Sequence, residues 1–172
     1  LNTSKEKNVP RLLLCLMFML CASCAMNHGK PIAKLEYVSV ERYQDKRIYQ
    51  VSFTSNVDVV NLFKSKISQT LICSLDGDTD FSVAHRIHQY GEGFIETVQQ
   101  GGEQVFKADL IFSEVKSSTN DAVMKSEALS SLLAEQASIT CKVRINAYSY
   151  KTYFSEEMQV PTKELLREIA KY

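Results

Sequence analysis

Apolar and polar residues alternate at a spacing of two along much of this chain, and two cysteines fall on the apolar phase. Successive side chains of a β-strand point to opposite faces, so residues two apart share one. Cys73 shares a face with Leu71 and Leu75, and Cys141 with Ile139, Val143 and Ile145. Both thiols are therefore expected to point into a core. The same alternation marks Tyr49, Val51 and Phe53, and again Phe106, Ala108, Leu110 and Phe112.

The strand pattern can be followed along the chain. Leu35–Tyr43 and Ile48–Thr54 form an expected hairpin across Gln44-Asp45-Lys46. Val57–Phe63 fits neither helix nor strand cleanly. Gln69–Leu75 is a strand ending at the Asp76-Gly77 turn signal. Phe81–His88 alternates once more, with Phe81, Val83, His85 and Ile87 on one side. Phe94–Val98 and Gln104–Val115 flank Gln99-Gln100-Gly101-Gly102, a second hairpin. Asn120 or Asp121 is placed to cap a helix reaching Gln136, with Val123, Leu129, Leu132, Leu133 and Ala137 as its apolar stripe. Ile139–Phe154 reads as one long strand, and Thr162 as the cap of a last helix carrying Leu165, Leu166 and Ile169.

Seven or so strands, one pair of core cysteines and two helices predict a mainly β fold. The expected form is a two-sheet, immunoglobulin-like sandwich with one disulfide and peripheral helices, one of them C-terminal. A true immunoglobulin domain is not expected. The chain has no Trp, and Ile139 stands two residues before Cys141, where a tyrosine corner would place Tyr.

The N-terminal stretch has a different character. Lys5, Lys7 and Arg11 precede an uncharged run, Leu12–Leu20, and then the small-residue stretch Cys21-Ala22-Ser23-Cys24-Ala25. This is the layout of an export signal. The run is too short to span a bilayer, which takes ~20 apolar residues. Ala22-Ser23-Cys24 resembles the last three positions of a bacterial lipobox, with Cys21 where that motif usually has Leu. The resemblance implies lipidation of Cys24, and Ala25 after it implies the outer membrane, since Asp there favours retention at the inner one. The competing reading is ordinary cleavage after Ser23-Cys24-Ala25. The expected organisation is a signal peptide over 1–23, a lipidated tether over 24–34 and one periplasmic domain over 35–172. In an oxidising compartment Cys73 and Cys141 are expected to pair, which would stabilise the fold by roughly 4 kcal/mol. Two free buried thiols, or a metal or redox pair, are the alternatives.

Charge excludes little beyond nucleic acid. Lys plus Arg and Asp plus Glu both number 20, with no basic run. Asp76, Asp78 and Asp80 alternate in a turn, as calcium loops do. Phe81 and Ile87 stand where an EF-hand needs Gly and Glu, so a solvated turn is expected and no metal is assigned. His85 and His88 on one strand face opposite ways, His85 toward the core and His88 toward solvent. There is no Gly-x-Ser-x-Gly, and Gly91-Glu92-Gly93 is too short for a phosphate loop, so no catalytic residue and no cofactor are assigned. Tyr148, Tyr150 and Phe154 are expected on the strand face that also carries Lys142, Arg144 and Asn146, and tyrosine and arginine are favoured interface anchors.

The sum is a small exported domain with no recognisable catalytic set. In size, export and architecture it is similar to the lipoprotein immunity proteins encoded beside type VI secretion phospholipases. That resemblance implies a non-enzymatic inhibitor whose partner is a secreted effector enzyme such as a phospholipase, occluded at the membrane. Asp76, Asp78, Asp80, Tyr148 and Tyr150 are the expected partner-binding residues. The alternative is a structural accessory lipoprotein of a secretion or pilus complex, since the type VI outer-membrane lipoprotein also resembles a small sandwich with an added helix. A small-ligand carrier is a third reading, and needs a cavity on the order of a few hundred Å3.

Overall fold

The computed structural model describes residues 29–148 and 151–172. The folded unit runs from Ile32 to Tyr172. The signal segment with Cys24, and Tyr150, lie outside the described residues.

The alternating segments form β1 (Leu35–Arg42), β2 (Tyr49–Ser55), β3 (Lys66–Ser74), β4 (Gln89–Gln100), β5 (Glu103–Ser117) and β6 (Asn120–Val123). Helix α1 (Ser126–Ala134) follows, then β7 (Ser138–Ala147), β8 (Lys151–Phe154), β9 (Met158–Pro161) and α2 (Thr162–Ile169). All the pairings are antiparallel, in the order β1-β2-β5-β4-β3-β7-β8. Among the described residues the fold is mainly β with two helices and one disulfide, as expected. Its two halves share β5, which takes β2 on one edge at Phe106–Leu110 and β4 on the other.

Two edges are each built from a pair of short strands. Beyond β2, the same edge of β5 takes β6 at Ser113–Ser117. On β7, β9 pairs at Ser138–Cys141 and β8 at Arg144–Ala147. Ser155 spans the gap between β8 and β9. Its hydroxyl accepts from the Val143 N–H at 2.8 Å, and its own N–H donates to the Val143 carbonyl at 3.0 Å. Glu156 beside it donates its N–H to the Ala33 carbonyl at 2.9 Å, and the Ala33 N–H donates to the Tyr153 hydroxyl at 2.7 Å. The sheet therefore curls until the chain entering β1 meets the β8–β9 corner. Ala33, placed in the tether by the sequence, is buried in that seam.

Curling requires close passage between β4 and β5. A Cβ on Gly93 would lie 2.3 Å from the Asp109 carbonyl oxygen, so only glycine fits. Inside the curl, Tyr49 packs on Phe112 and Phe53 on Phe106, with ring centroids 5.3 and 5.6 Å apart. Leu129 and Leu133 of α1 and Leu165 and Ile169 of α2 join the same core. Helix α2 is tied to β1. The Tyr37 hydroxyl donates to Glu164 at 2.7 Å, and Arg42 donates to the carbonyl of Ile169 at 2.9 Å, capping the end of α2.

Three segments depart from the sequence reading. Phe81–His88 is a loop and not a strand, because Ser82 is held locally: its N–H donates to the Asp80 carboxylate at 2.9 Å and its carbonyl accepts from the His85 N–H at 3.1 Å. Residues 120–123 form β6 instead of opening a helix. The far end of β5 needs a partner there, and α1 starts only at Ser126, with no side-chain cap at Lys125. The long strand over 139–154 is a hairpin, β7 and β8. The inward phase along it runs Ile139, Cys141, Val143, Ile145 and Ala147, then resumes at Tyr153.

Candidate functional site

The loop between β3 and β4, residues 75–88, covers the outer face of β3, β4 and β7. Phe81 and Ile87 are its apolar pegs. They pack with Ile72 of β3, against Tyr90 and Phe154, in a cluster separate from the main core. The odd-numbered alternation in this segment thus reflects two pegs, and Val83 between them is 75% exposed.

The aspartates order the loop. Asp76 accepts from the Asp78 N–H at 3.2 Å, Asp78 from the Asp80 N–H at 2.9 Å and Asp80 from the Ser82 N–H at 2.9 Å. Each carboxylate thus holds the backbone two residues on, the Asx-turn habit of aspartate. Asp76 also accepts from the Ser74 hydroxyl at 3.0 Å and the Gln89 N–H at 3.3 Å, pinning the two ends of the loop together. His85 Nε2 is hydrogen-bonded to Asp78, and its Nδ1 lies 3.9 Å from Asp80. The expectation of a core histidine at position 85 is corrected. The ring is exposed and serves as the brace between loop limbs. His88 is exposed.

This arrangement shifts the groups concerned. The hydrogen bond to Asp78 raises the His85 pKa above its ordinary value, against some desolvation, with the charges of Asp78, Asp80 and Asp76 adding to the rise. The same hydrogen bond is the main cause holding Asp78 below the usual carboxylate range. Asp80 is lowered chiefly by Ser82. A second tie runs from Arg86, which pairs with Asp121 at 2.6 Å and donates to the Ser118 carbonyl at 2.9 Å. Tyr90 donates to Asp121 as well, at 2.7 Å; burial, then that hydrogen bond, push its hydroxyl up to about 12.

Beneath the loop is a cavity of about 320 Å3. Its floor includes Ile72, Tyr90, Glu92, Arg144 and Asn146, and its roof Phe81, Val83, His85 and Ile87. Arg144 Nη2 pairs with Glu92 at 2.6 Å, while Arg144 Nε is buried with no hydrogen-bond partner among the described residues. An unmet buried donor costs ~1–3 kcal/mol. A second hollow of about 390 Å3 lies across β2, β4 and β5, around Phe94, which is 70% exposed, and Ile111. Three of its polar groups engage one another: Lys107 donates to Gln50 at 3.0 Å and Gln50 to Asp109 at 2.9 Å.

Of the expected partner-binding residues, Asp76, Asp78 and Asp80 come together in the loop. Tyr148 stands just past the end of β7, 64% exposed, and does not line the cavity. Phe154 reaches the face of Arg144 through hairpin pairing, directly opposite it in register, and not along one strand. The Cys73–Cys141 disulfide forms, joining neighbouring strands β3 and β7. Among the described residues, no group of three or more His, Cys, Asp or Glu is arranged to hold a metal ion, and no helix is long and apolar enough to cross a membrane. Sequence reasoning noticed the polar face of Lys142, Arg144 and Asn146 but missed Glu92 as its partner. The signal was one charged side chain between two glycines of a strand. No family model, no curated protein and no solved structure matches this chain.

Proposed function

We propose that this chain is an inhibitor of the bacterial envelope that binds and occludes a toxic effector enzyme, with the 75–88 loop as its inserting element. The observation that supports this reading is the preorganisation of that loop. Three successive aspartates fix its backbone, His85 braces it, and two buried pegs hold it to the sheet while Val83 stays exposed. A binding loop already held in shape loses little conformational freedom on docking. The partner in this proposal is a hydrolase acting at the membrane, such as a type VI secretion phospholipase. Lipidation at Cys24 would keep the inhibitor at the outer membrane, facing the periplasm.

The test is capture from envelope extract with the tagged chain, followed by an activity assay on what is retained. Recovery of one hydrolase, blocked at one-to-one stoichiometry and released by Val83→Asp, is the expected result. Recovery of ring-forming envelope subunits with no blocked enzyme would sink the inhibitor reading and make this an accessory lipoprotein.

A further inference from the structure

The cavity under the loop holds one strong donor group that the protein leaves largely unused. Its other polar side chains are occupied. Asn146 donates to the Ser68 hydroxyl at 2.9 Å and accepts from Thr152 at 3.1 Å. His85 is held by Asp78, and Arg86 by Asp121. Arg144 differs. Glu92 takes a single hydrogen bond from Nη2, and Nε is buried without a partner among the described residues. Arg144 lines the cavity, and its side chain as a whole is 30% exposed. A guanidinium offers a planar fork suited to two carboxylates at once, one at its side and one at its end.

We propose that this cavity is a ligand site for a carboxylate carried on an apolar or aromatic stem, with Arg144 as charge anchor and Ile72, Phe81 and Ile87 as the seat of the stem. The volume, about 320 Å3, suits a stem the size of one aromatic ring or short branched chain. A monoanion fits better than a phosphate. Glu92 stands on the same guanidinium, so each further negative charge on the ligand adds repulsion from it and one charge is better tolerated than two. The ligand carboxylate takes the end of the fork, Glu92 keeps the side, and the small rotation that seats both lets Glu92 also reach Nε. The site does not depend on the inhibitor reading. A free small acid and a carboxylate presented by a protein chain are two sources of the same chemistry.

The experiment is a nitrogen-15 NMR titration of the full chain, following the Nε–H resonance of Arg144. The probes are 3-phenylpropionate, its amide, and a short acetylated peptide ending in a phenylalanine carboxylate. The acid or the peptide is expected to move that resonance, and the amide to leave it in place. Tighter binding of the free acid assigns the site to a small molecule; tighter binding of the peptide assigns it to a chain terminus. Arg144→Gln, read from the backbone amide shifts of Ile72 and Ile87 because the reporter nitrogen is lost, should weaken binding about tenfold, the worth of one charge-assisted hydrogen bond. Glu92→Gln, which keeps the anchor and removes the negative charge beside it, should tighten binding roughly threefold. Equal shifts with acid and amide would overturn the charge anchor. An unmoved resonance with every probe, in wild type and Glu92→Gln alike, would overturn the site.

Discussion

Cys73 and Cys141 face each other directly across β3 and β7, with Cα atoms 4.0 Å apart and both side chains fully buried. The disulfide therefore joins two strands already paired over eight register positions, from Lys66↔Ala147 to Ser74↔Thr140. Its effect falls mainly on the unfolded chain, in which it closes a loop with a sequence separation of 68 residues. Replacing both cysteines by Ser is expected to lower stability by ~2–4 kcal/mol. Urea unfolding should show this as a lower midpoint. An unchanged midpoint would mean that sheet pairing alone holds this centre.

Ser155 closes the break between β8 and β9. Ser155→Ala would leave the Val143 N–H without its partner in a buried position. The expected loss is ~1–3 kcal/mol. Thermal unfolding measures it, and faster exchange of the Val143 amide should accompany it.

Gly93 sits where β4 and β5 pass closest. Gly93→Ala places a methyl group against the Asp109 backbone, which no side-chain rotation relieves. A loss of ~1–3 kcal/mol or more is expected. The same change at exposed Gly77 meets no atom within 4 Å, though its φ of +75° still disfavours Ala. Comparing the two by denaturation separates crowding from backbone preference.

The His85–Asp78 brace makes loop order depend on pH. The folded pKa of His85 is raised, so its contribution is complete below the ordinary 6.5 and is lost as pH rises through the raised value. The folded pKa of Asp78 is lowered, so its contribution is present above the ordinary 3.8 and is lost as pH falls through the lowered value. Loop order is thus greatest in mildly acidic solution, between those two ordinary values. NMR titration should place the His85 ring above 6.5, and Asp78→Asn should return it toward that value. Amide protection over residues 76–88, with the intrinsic base-catalysed rate at each pH divided out, should fall as His85 loses its proton. Equal protection on both sides of that titration would show that the pegs alone hold the loop.

Much of the sheet was legible because its inner face is apolar at strict period two. Phe106, Ala108, Leu110 and Phe112 are all buried, and Gly101-Gly102 turns the hairpin with φ of 62° and 88°. The loop misled because Phe81 and Ile87 occupy the same phase as a strand would, although their burial is against a sheet made by other residues. Local carboxylate-to-backbone bonds decided the conformation there, and a period count does not register them. Residues 120–123 misled for a tertiary reason. Asn120 and Asp121 suit a helix cap, but the exposed edge of β5 claims them. The pairing of Arg144 with Glu92 joins β7 to β4 across β3, a relation fixed by strand order alone.

The placement of β7 beside β3 has a consequence for how the chain matures. Emerging from its N-terminus, the polypeptide completes β1 to β6 before Ser138 arrives. Until then one side of β3 has no hydrogen-bonding neighbour, and the thiol of Cys73 has nothing within the domain to pair with. Joining of the two thiols, which needs an external two-electron oxidant, can therefore follow only once β7 lies beside β3, and any partner cysteine captured earlier would come from outside the domain.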